Sequence, residues 1–298
     1  MRPLSPGKRI HVIAPSSPFD AADFERGIAR LRQRYDVHHD PDILRRAGYL
    51  AGTDEQRIAE LLGALQDDGV DAIIAARGGY GATRLLDRLP VSIVALHPKL
   101  LVGFSDITAL HALWARAAQG SIHGPMVATL GRSPEPLVER FIAAIEGAMP
   151  QPIEGLVAIA EGRARGRLFG GNLAVLTALI GTPYAPPLHD CVLFLEDIGE
   201  RPYRVDRMLT TWQQSGCLQL PRAIVLGAFT DAPTGADGVS VDQVLQERLG
   251  RLGIPVLSGV RAGHLDDNLE LPFGAMVQVD AARGALVFED ASVSRTQG

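Results

Sequence analysis

The sequence predicts an α/β protein whose first half contains a parallel sheet. Short apolar runs alternate with segments whose apolar residues recur at helical spacing, and the runs are apolar enough to be buried on both faces. The chain has 298 residues, a length at which a single core stops growing efficiently, so we expect two domains. Of these residues 46% are hydrophobic and 21% are charged, a balance that excludes disorder, collagen and coiled coil.

The first half alternates strands with helices. Strands are predicted over 9–14, 35–39, 71–76 and 100–104, and helices over 20–34, 106–118 and onward from the capping-box spacing of Thr53 and Gln56. Ser133 and Pro134 predict the N-cap and first residue of a helix that ends near 147. Buried strands alternating with helices indicate a parallel sheet covered on both faces.

A break in the pattern separates the two halves. Pro150 and Pro152 interrupt it, and 161–167 is polar and glycine-rich, as expected of a linker and domain entry. We therefore expect an N-terminal domain over 1–148, a linker over 149–164 and a C-terminal domain over 165–298. In the C-terminal domain, helices are predicted over 172–180, 203–214 and 241–252, strands over 191–195, 222–228 and 256–259, and a hairpin from 275–279 and 285–288.

Charge and composition argue against several classes of partner. The chain carries 29 basic and 34 acidic residues, a net charge of -5, so no overall field attracts nucleic acid or an anionic membrane. No apolar stretch reaches the roughly 18 to 20 residues that span a bilayer, and no apolar region follows the basic N-terminus, so we expect a cytoplasmic protein. Cys191 and Cys217 are too few for a disulfide framework or a cysteine-rich metal site.

One serine lies where a parallel sheet commonly carries chemistry. Ser105 stands between the end of the predicted strand 100–104 and the first turn of the next helix. Ligands bind outside the carboxyl ends of parallel strands, and a helix N-terminus offers unsatisfied N–H groups to a developing oxyanion. Ser105 is therefore a candidate nucleophile, although the pattern by itself also fits an ordinary N-cap serine.

Paired glycines follow the predicted strand 71–76. The run Arg77-Gly-Gly-Tyr-Gly81 lacks the Lys-Ser/Thr of a P-loop and the spacing of a dinucleotide fingerprint, so a phosphate cradle is a poor match. Glycine lets the backbone approach a ligand closely, and the N–H groups of Gly78 and Gly79 are candidates for an oxyanion hole. A plain tight turn explains the same residues.

A serine nucleophile needs a base, and the base needs an orienting carboxylate. Of the eight histidines, His264 is the best candidate because it lies in an irregular polar loop over 263–274. Glu196 and Asp197 end a strongly apolar strand and Glu200 follows, although ordinary acids that cap a strand fit the same pattern. No His/Glu cluster has metal-ligand spacing, so neither a metal nor another cofactor is expected.

Six groups of residues between 77 and 274 resemble the motifs of one family and occur in its order, and the resemblance as a whole spans about residues 8 to 288. They are Arg77-Gly-Gly-Tyr-Gly81, Gly103-Phe-Ser-Asp-Ile-Thr-Ala-Leu-His111, His123-Gly-Pro125, Gly170-Gly-Asn-Leu173, Leu195-Glu-Asp-Ile-Gly-Glu200 with Pro202-Tyr-Arg-Val-Asp-Arg-Met-Leu209, and Gly263-His264 with Pro272-Phe-Gly274. Together they resemble the LD-carboxypeptidase family of serine peptidases.

The resemblance implies an N-terminal Rossmann-like domain and a smaller C-terminal domain rich in β-structure. It implies that Ser105 is the nucleophile, Glu196 the acid and His264 the base. The oxyanion donors would be the backbone N–H of Asp106 and of either Gly78 or Gly79. It further implies a cytoplasmic homodimer without a cofactor that removes the terminal D-Ala from murein tetrapeptide in peptidoglycan recycling.

Two other functions remain open. A branch of the same family confers self-immunity to the peptide-nucleotide antibiotic microcin C. The chain is short and has no obvious aromatic insertion to stack a nucleotide, which favours the murein branch. A non-catalytic two-domain binder of small molecules would have no need of Ser105, Glu196 and His264 together.

Overall fold

The computed structural model describes residues 3–289, which divide into two compact units. Within the described residues the first unit contains 3–148 and Glu270–Pro272, and the second contains Met149–Leu269 and 273–289. Both combine helices with one sheet, and the second has eleven fewer described residues than the first. The predicted α/β class is confirmed.

The helices and strands that the sequence predicts are present in the described residues, and further elements occur between them. The strands are β1 (Arg9–Ile13), β2 (Asp36–His39), β3 (Ala72–Ala75), β4 (Leu100–Gly103), β5 (Ser121–His123), β6 (Val157–Ala160), β7 (Arg163–Asn172), β8 (Cys191–Ile198), β9 (Ala223–Thr230), β10 (Val256–Ser258), β11 (Leu271–Phe273), β12 (Met276–Asp280) and β13 (Ala285–Phe288). The α-helices are α1 (Ala21–Arg32), α2 (Asp54–Gln66), α3 (Val91–Leu96), α4 (Thr108–Arg116), α5 (Val127–Leu130), α6 (Glu135–Ile145), α7 (Leu173–Leu179), α8 (Pro202–Gln214) and α9 (Val241–Leu249).

The sheet of the first unit is the Rossmann-like sheet that the resemblance implied. Its order is β11-β5-β4-β3-β1-β2, and the neighbours from β2 through β5 pair in parallel. Alternate residues such as Ile10, Val12, Ile74 and Val102 pack into one hydrophobic core. The strand order reverses between β1 and β3, where a doubly wound sheet leaves a crevice at its carboxyl edge.

Local sequence signals set the helix ends. At the start of α2 the capping box is complete: the Gln56 amide donates to Thr53 Oγ1 and the Thr53 amide donates to Gln56 Oε1. The predicted start of α6 is wrong by one residue, because Pro134 is the N-cap. Ser133 Oγ instead donates to the Thr129 carbonyl at 3.0 Å, so this serine belongs to the end of α5.

The sheet of the second unit is mixed, with the order β13-β12-β7-β8-β9-β10-β6. The four central strands β7 to β10 are parallel, whereas β12 pairs antiparallel with β7 and with β13, and β6 pairs antiparallel with β10. The predicted hairpin is therefore present as β12 and β13. This sheet carries the strand that ends near Glu196.

The segment 149–164, expected to be a linker, contributes β6 to this sheet. Strand β7 then starts at Arg163, where the polar residues favoured a loop. Every second residue at the start of β7 is an exposed arginine, namely Arg163, Arg165 and Arg167. This two-residue period is typical of a strand with one face in solvent. Ion pairs occupy two of these arginines: Arg163 lies 3.0 Å from Asp280, and Arg165 lies 2.6 Å from Glu289.

A short segment of the predicted C-terminal domain, Glu270–Pro272, belongs to the first unit. Glu270 is buried and accepts a hydrogen bond from Arg140 Nε at 2.7 Å. Burial raises the pKa of Glu270, while the bond to Arg140 opposes that rise. Strand β11 then adds to the edge of the sheet beside β5. Among the described residues, every helix is too short or too polar to span a bilayer.

Candidate active site

Ser105 occupies a sharp turn between a buried strand and a helix. All four residues of β4 are buried, and a 3-10 turn, Ser105–Ile107, leads into α4. Phe104 is the N-cap of this turn, so Ser105 does not take the N-cap position that the pattern also allowed. Ser105 has a φ of 62°, in the left-handed region that non-glycine residues avoid. Such strain persists where surrounding structure enforces it, often at functional sites.

The glycine pair lies directly against this turn. A Cβ atom placed on Gly78 would lie 3.0 Å from Ser105 Cβ and 3.2 Å from Ser105 Oγ. A Cβ atom on Gly79, whose φ is 105°, would lie 2.4 Å from Ser17 Oγ. The Ser17 amide donates to the Gly78 carbonyl, and the Tyr80 amide donates to Ser17 Oγ. Only glycine therefore lets this loop pass between Ser17 and Ser105.

Asp106, the residue after Ser105, turns its side chain inward. Its Oδ2 accepts hydrogen bonds from Ser16 Oγ at 2.6 Å and from the Ala82 amide at 2.8 Å. Burial raises the pKa of Asp106, while the two hydrogen bonds and the charge of Arg57 oppose that rise. One carboxylate thus ties the turn at Ser105 to the loops that follow β1 and β3.

Arg57 of α2 is a buried member of the same network, and nothing in the sequence distinguished it. It is fully buried, and its Nη1 donates to the carbonyls of Gly81, at 2.9 Å, and of Pro15. Its Nη2 donates to the carboxylate of Asp54. The buried guanidinium and Asp106 together hold the three loops in one arrangement, as a preorganised site requires.

In the second unit Glu196 and His264 are hydrogen-bonded. Glu196 is fully buried on β8, and its Oε2 lies 2.8 Å from His264 Nδ1. The pairing of β8 with β9 shifts register between Leu195 and Asp197, because β9 carries one extra residue opposite Glu196. A Cβ atom on Gly263, whose φ is 119°, would lie 2.8 Å from Glu196 Oε2, so the carboxylate fits against a glycine. With Nδ1 facing the carboxylate, Nε2 is the basic nitrogen of the ring.

The two neighbouring acids have other partners. Asp197 accepts hydrogen bonds from Asn172 Nδ2 at 2.8 Å and from the amides of Ala174 and Ile198. Burial raises the pKa of Asp197 to about 6, and the nearby charge of Glu196 adds to the rise. Glu200 forms an ion pair with Arg204, four residues further along the chain, at 2.6 Å. Of the three candidate carboxylates, the one in contact with His264 is Glu196.

The predicted site residues therefore form two groups. Ser105, Gly78, Gly79 and Asp106 lie together in the first unit, and Glu196 with His264 lies in the second. Within the described residues, no group of three or more His, Cys, Asp and Glu side chains is arranged to hold a metal ion.

Two other histidines of the first unit are buried. His111 Nε2 lies 2.8 Å from the Gly103 carbonyl and its Nδ1 lies 2.7 Å from Ser121 Oγ. Burial lowers the pKa of His111 to about 4, so this imidazole is neutral near neutral pH. His123 packs edge-on against the Phe104 ring, with centroids 5.7 Å apart. His111 is a core histidine that fastens α4 to β4 and β5.

Comparisons with known proteins match both halves of the chain to one family. The LD-carboxypeptidase N-terminal domain matches residues 10–124, and the LD-carboxypeptidase C-terminal domain matches residues 165–279. A putative carboxypeptidase from Synechocystis is 40% identical over 292 residues, with 96% of each chain covered.

Solved structures show the same fold. The crystal structure of muramoyltetrapeptide carboxypeptidase from Oxalobacter formigenes has a TM-score of 0.82 and 31% identity, covering 94% of this chain and 97% of that one. The microcin C7 self-immunity protein MccF has a TM-score of 0.86 and 23% identity, covering 97% and 98%. At that identity the likeness to MccF concerns the fold alone.

Proposed function

Because this chain belongs to the LD-carboxypeptidase family of peptidases, we propose that it is a serine carboxypeptidase that removes the terminal D-Ala from murein tetrapeptide. The observation that carries the proposal is the hydrogen bond between the buried Glu196 carboxylate and His264. A buried carboxylate that holds one imidazole nitrogen is the arrangement that makes the other nitrogen a base. The name of the Oxalobacter relative supports the choice of a muramoyl peptide as substrate.

In the first step His264 Nε2 takes the hydroxyl proton of Ser105 as Oγ attacks the carbonyl carbon of an L-configured diamino acid. Glu196 accepts a hydrogen bond from Nδ1–H and stabilises the imidazolium that forms. The carbonyl oxygen acquires the negative charge and points toward backbone N–H groups. Because the turn at Ser105 is strained and fixed, the nucleophile needs little rearrangement before attack.

We assign the oxyanion donors to the amides of Asp106 and Gly79. The Gly78 carbonyl accepts a hydrogen bond from the Ser17 amide. In a planar trans peptide the N–H of the next residue points the opposite way, so the Gly79 N–H is directed away from Ser17. Gly78 itself lies against Ser105, which puts this peptide beside the nucleophile. The geometry therefore favours Gly79 over Gly78 as the donor.

In the second step the imidazolium of His264 gives its proton to the nitrogen of D-Ala, and the C–N bond breaks. An ester links the remaining tripeptide to Ser105. Water then loses a proton to His264 and attacks this ester, and the same proton returns to Ser105 as the tripeptide leaves.

Mass spectrometry of purified protein incubated with murein tetrapeptide tests the proposal. We expect loss of one D-Ala, no loss with Ser105→Ala, and no cleavage of a pentapeptide that ends in D-Ala-D-Ala. Cleavage of an acyl-sulfamoyl adenylate peptide but not of the tetrapeptide would place the protein with the microcin C self-immunity peptidases. Binding of the tetrapeptide in calorimetry without any cleavage would favour a non-catalytic binder.

A further inference from the structure

A cavity of about 640 Å³ opens in the first unit beside the Ser105 loops. Its lining includes Ser17, which follows β1, and Arg77, which follows β3, together with Arg46, Tyr49 and Arg132. The cavity thus lies at the reversal of strand order between β1 and β3. Ligands in doubly wound sheets bind at this topological switch point, outside the carboxyl ends of the strands.

Two arginines that line the cavity, Arg46 and Arg77, have no carboxylate partner among the described residues. Arg132 forms an ion pair with Asp23 at 3.3 Å. The other acid that lines the cavity, Asp20, accepts a hydrogen bond from the backbone amide of Asp23 at the start of α1. Arg77 donates one bond, to the Pro18 carbonyl, and a guanidinium has five N–H donors. Arg46 and Arg77 are exposed and keep donors for an anion.

An exposed aromatic ring, that of Tyr49, lines the same cavity and lies against a second ring, that of Tyr80. Tyr49 and Tyr80 have ring centroids 5.9 Å apart, and they are 64% and 47% exposed. Exposed tyrosine pairs offer apolar faces and hydroxyl groups to a ligand at little cost in side-chain entropy. The cavity therefore combines cationic groups with aromatic surface, which suits an acidic peptide.

The cavity is connected to the nucleophile through the glycine pair. Ser17 lines the cavity and lies against Gly79, while Gly78 lies against Ser105. The loop that carries the Gly79 amide therefore lies against both a residue that lines the cavity, Ser17, and the nucleophile. The volume is much larger than a departing alanine needs, so it suits the larger part of the peptide, which stays on the serine.

We propose that Arg46 and Arg77 form a subsite for a free carboxylate on the part of the peptide that is retained after cleavage. This inference rests on the proposed function. In L-Ala-γ-D-Glu-diaminopimelate-D-Ala that part carries two free carboxylates, one on D-Glu and one on diaminopimelate. The subsite would select acidic murein peptides over neutral peptides of the same length.

The test measures kcat and KM for Arg46→Gln and Arg77→Gln on the tetrapeptide. We expect KM to rise about 10- to 100-fold in each, the range for losing a charge-assisted hydrogen bond, with kcat changed only a few-fold. Arg88→Gln, an exposed arginine of the first unit that pairs with Glu55, is the matched control and keeps the wild-type KM. Arg46→Lys and Arg77→Lys should each show a smaller rise in KM than the glutamine variants, because lysine keeps the charge but lacks the planar guanidinium.

Two amidated substrates make the test specific, one with D-isoglutamine and one with amidated diaminopimelate. In the wild-type enzyme, KM should rise for the substrate in which the bound carboxylate has been amidated. In the arginine variants, the same amidation should cause no further rise in KM. If the variants cleave all peptides like wild type, or if amidation of the terminal D-Ala carboxylate alone reproduces their defect, this subsite assignment is wrong. If wild type cleaves no murein peptide, the proposed function fails instead.

Discussion

At the scale of single residues, the backbone at Ser105 is strained. A φ of 62° costs a non-glycine residue about 1 to 2 kcal/mol, and serine and alanine bear that cost equally. The strain therefore arises from the backbone conformation at position 105 and is present with either side chain. It is tolerated because buried bonds from Asp106 to Ser16 and Ala82 fix the residue that follows.

This strain gives a prediction for two inactive variants. Ser105→Ala should lose activity by about 10⁴-fold or more and remain folded, with the same backbone cost as the wild type. Ser105→Gly should be equally inactive but more stable, by up to about 1 kcal/mol, since glycine adopts this φ freely. Differential scanning calorimetry and an activity assay compare them. A glycine variant less stable than the alanine variant would show that the turn is not strained.

A second prediction separates the adjacent acids. Glu196→Gln should lower kcat by up to about 10⁴-fold, because the amide no longer fixes the orientation and tautomer of His264. Asp197→Asn should cost about 1 to 3 kcal/mol of stability instead, since an acceptor of three hydrogen bonds is altered. Glu200→Gln should change both kcat and the stability only slightly. Urea unfolding and steady-state kinetics on all three decide it; an active Glu196→Gln beside an inactive Asp197→Asn would reverse the roles.

The sequence identified the site residues that lie within recognisable motifs. It did not identify residues whose hydrogen-bond partners are backbone atoms far away in the chain. Glu196 was selected over Asp197 through the resemblance, and strand alternation agrees with their opposite contacts. Arg57 could not be recognised, because its partners are carbonyl oxygens of Pro15 and Gly81, far away in the chain. An arginine on an amphipathic helix ordinarily faces water.

At the scale of elements, α4 is fastened to its sheet by one buried imidazole. His111 connects the Gly103 carbonyl, at the end of β4, with Ser121 of β5. Gly103 lies two residues before Ser105, so this contact also supports the turn. In the neutral ring Nε2–H donates to the Gly103 carbonyl and Nδ1 can accept from the Ser121 hydroxyl, and burial disfavours the charged ring.

The pKa of His111 leads to a prediction about pH. Its pKa is about 4 in the folded state and near 6.5 when unfolded, so the unfolded chain binds the proton first as pH falls. The stability that neutral His111 contributes is complete above about pH 6.5 and decreases toward pH 4, by on the order of 3 kcal/mol. Urea unfolding of wild type and His111→Gln between pH 4 and 7 checks this. The advantage of wild type should shrink as pH falls; a constant difference would contradict it.

Two strands that depart from simple apolar runs, β7 and β11, were among the elements that sequence reasoning missed. Strand β7 alternates exposed arginines with small residues, and its polarity resembled a linker. Strand β11 is only three residues long and contains Pro272, a residue that argues against a strand. Its place depends on the buried contact of Glu270 with Arg140, which no local pattern reveals.

At the scale of the whole molecule, we predict that turnover does not require a metal. The proposed chemistry uses side chains and backbone amides alone, and the described residues offer no cluster of metal ligands. Prolonged treatment with EDTA should therefore leave kcat unchanged. Loss of activity that zinc restores would replace the serine mechanism with metal-assisted hydrolysis.

The return of Glu270–Pro272 to the first unit constrains how such a protein can be divided or recombined. The chain changes unit after Ala148, after Leu269 and after Pro272. A fragment that stops at Ala148 lacks β11, and the edge of β5 then becomes an open template for pairing between molecules. A gene that exchanged its second half would also have to supply a strand that fits the first sheet. Any exchange of the second half must therefore keep Glu270–Pro272 or replace it, although each half has a sheet of its own.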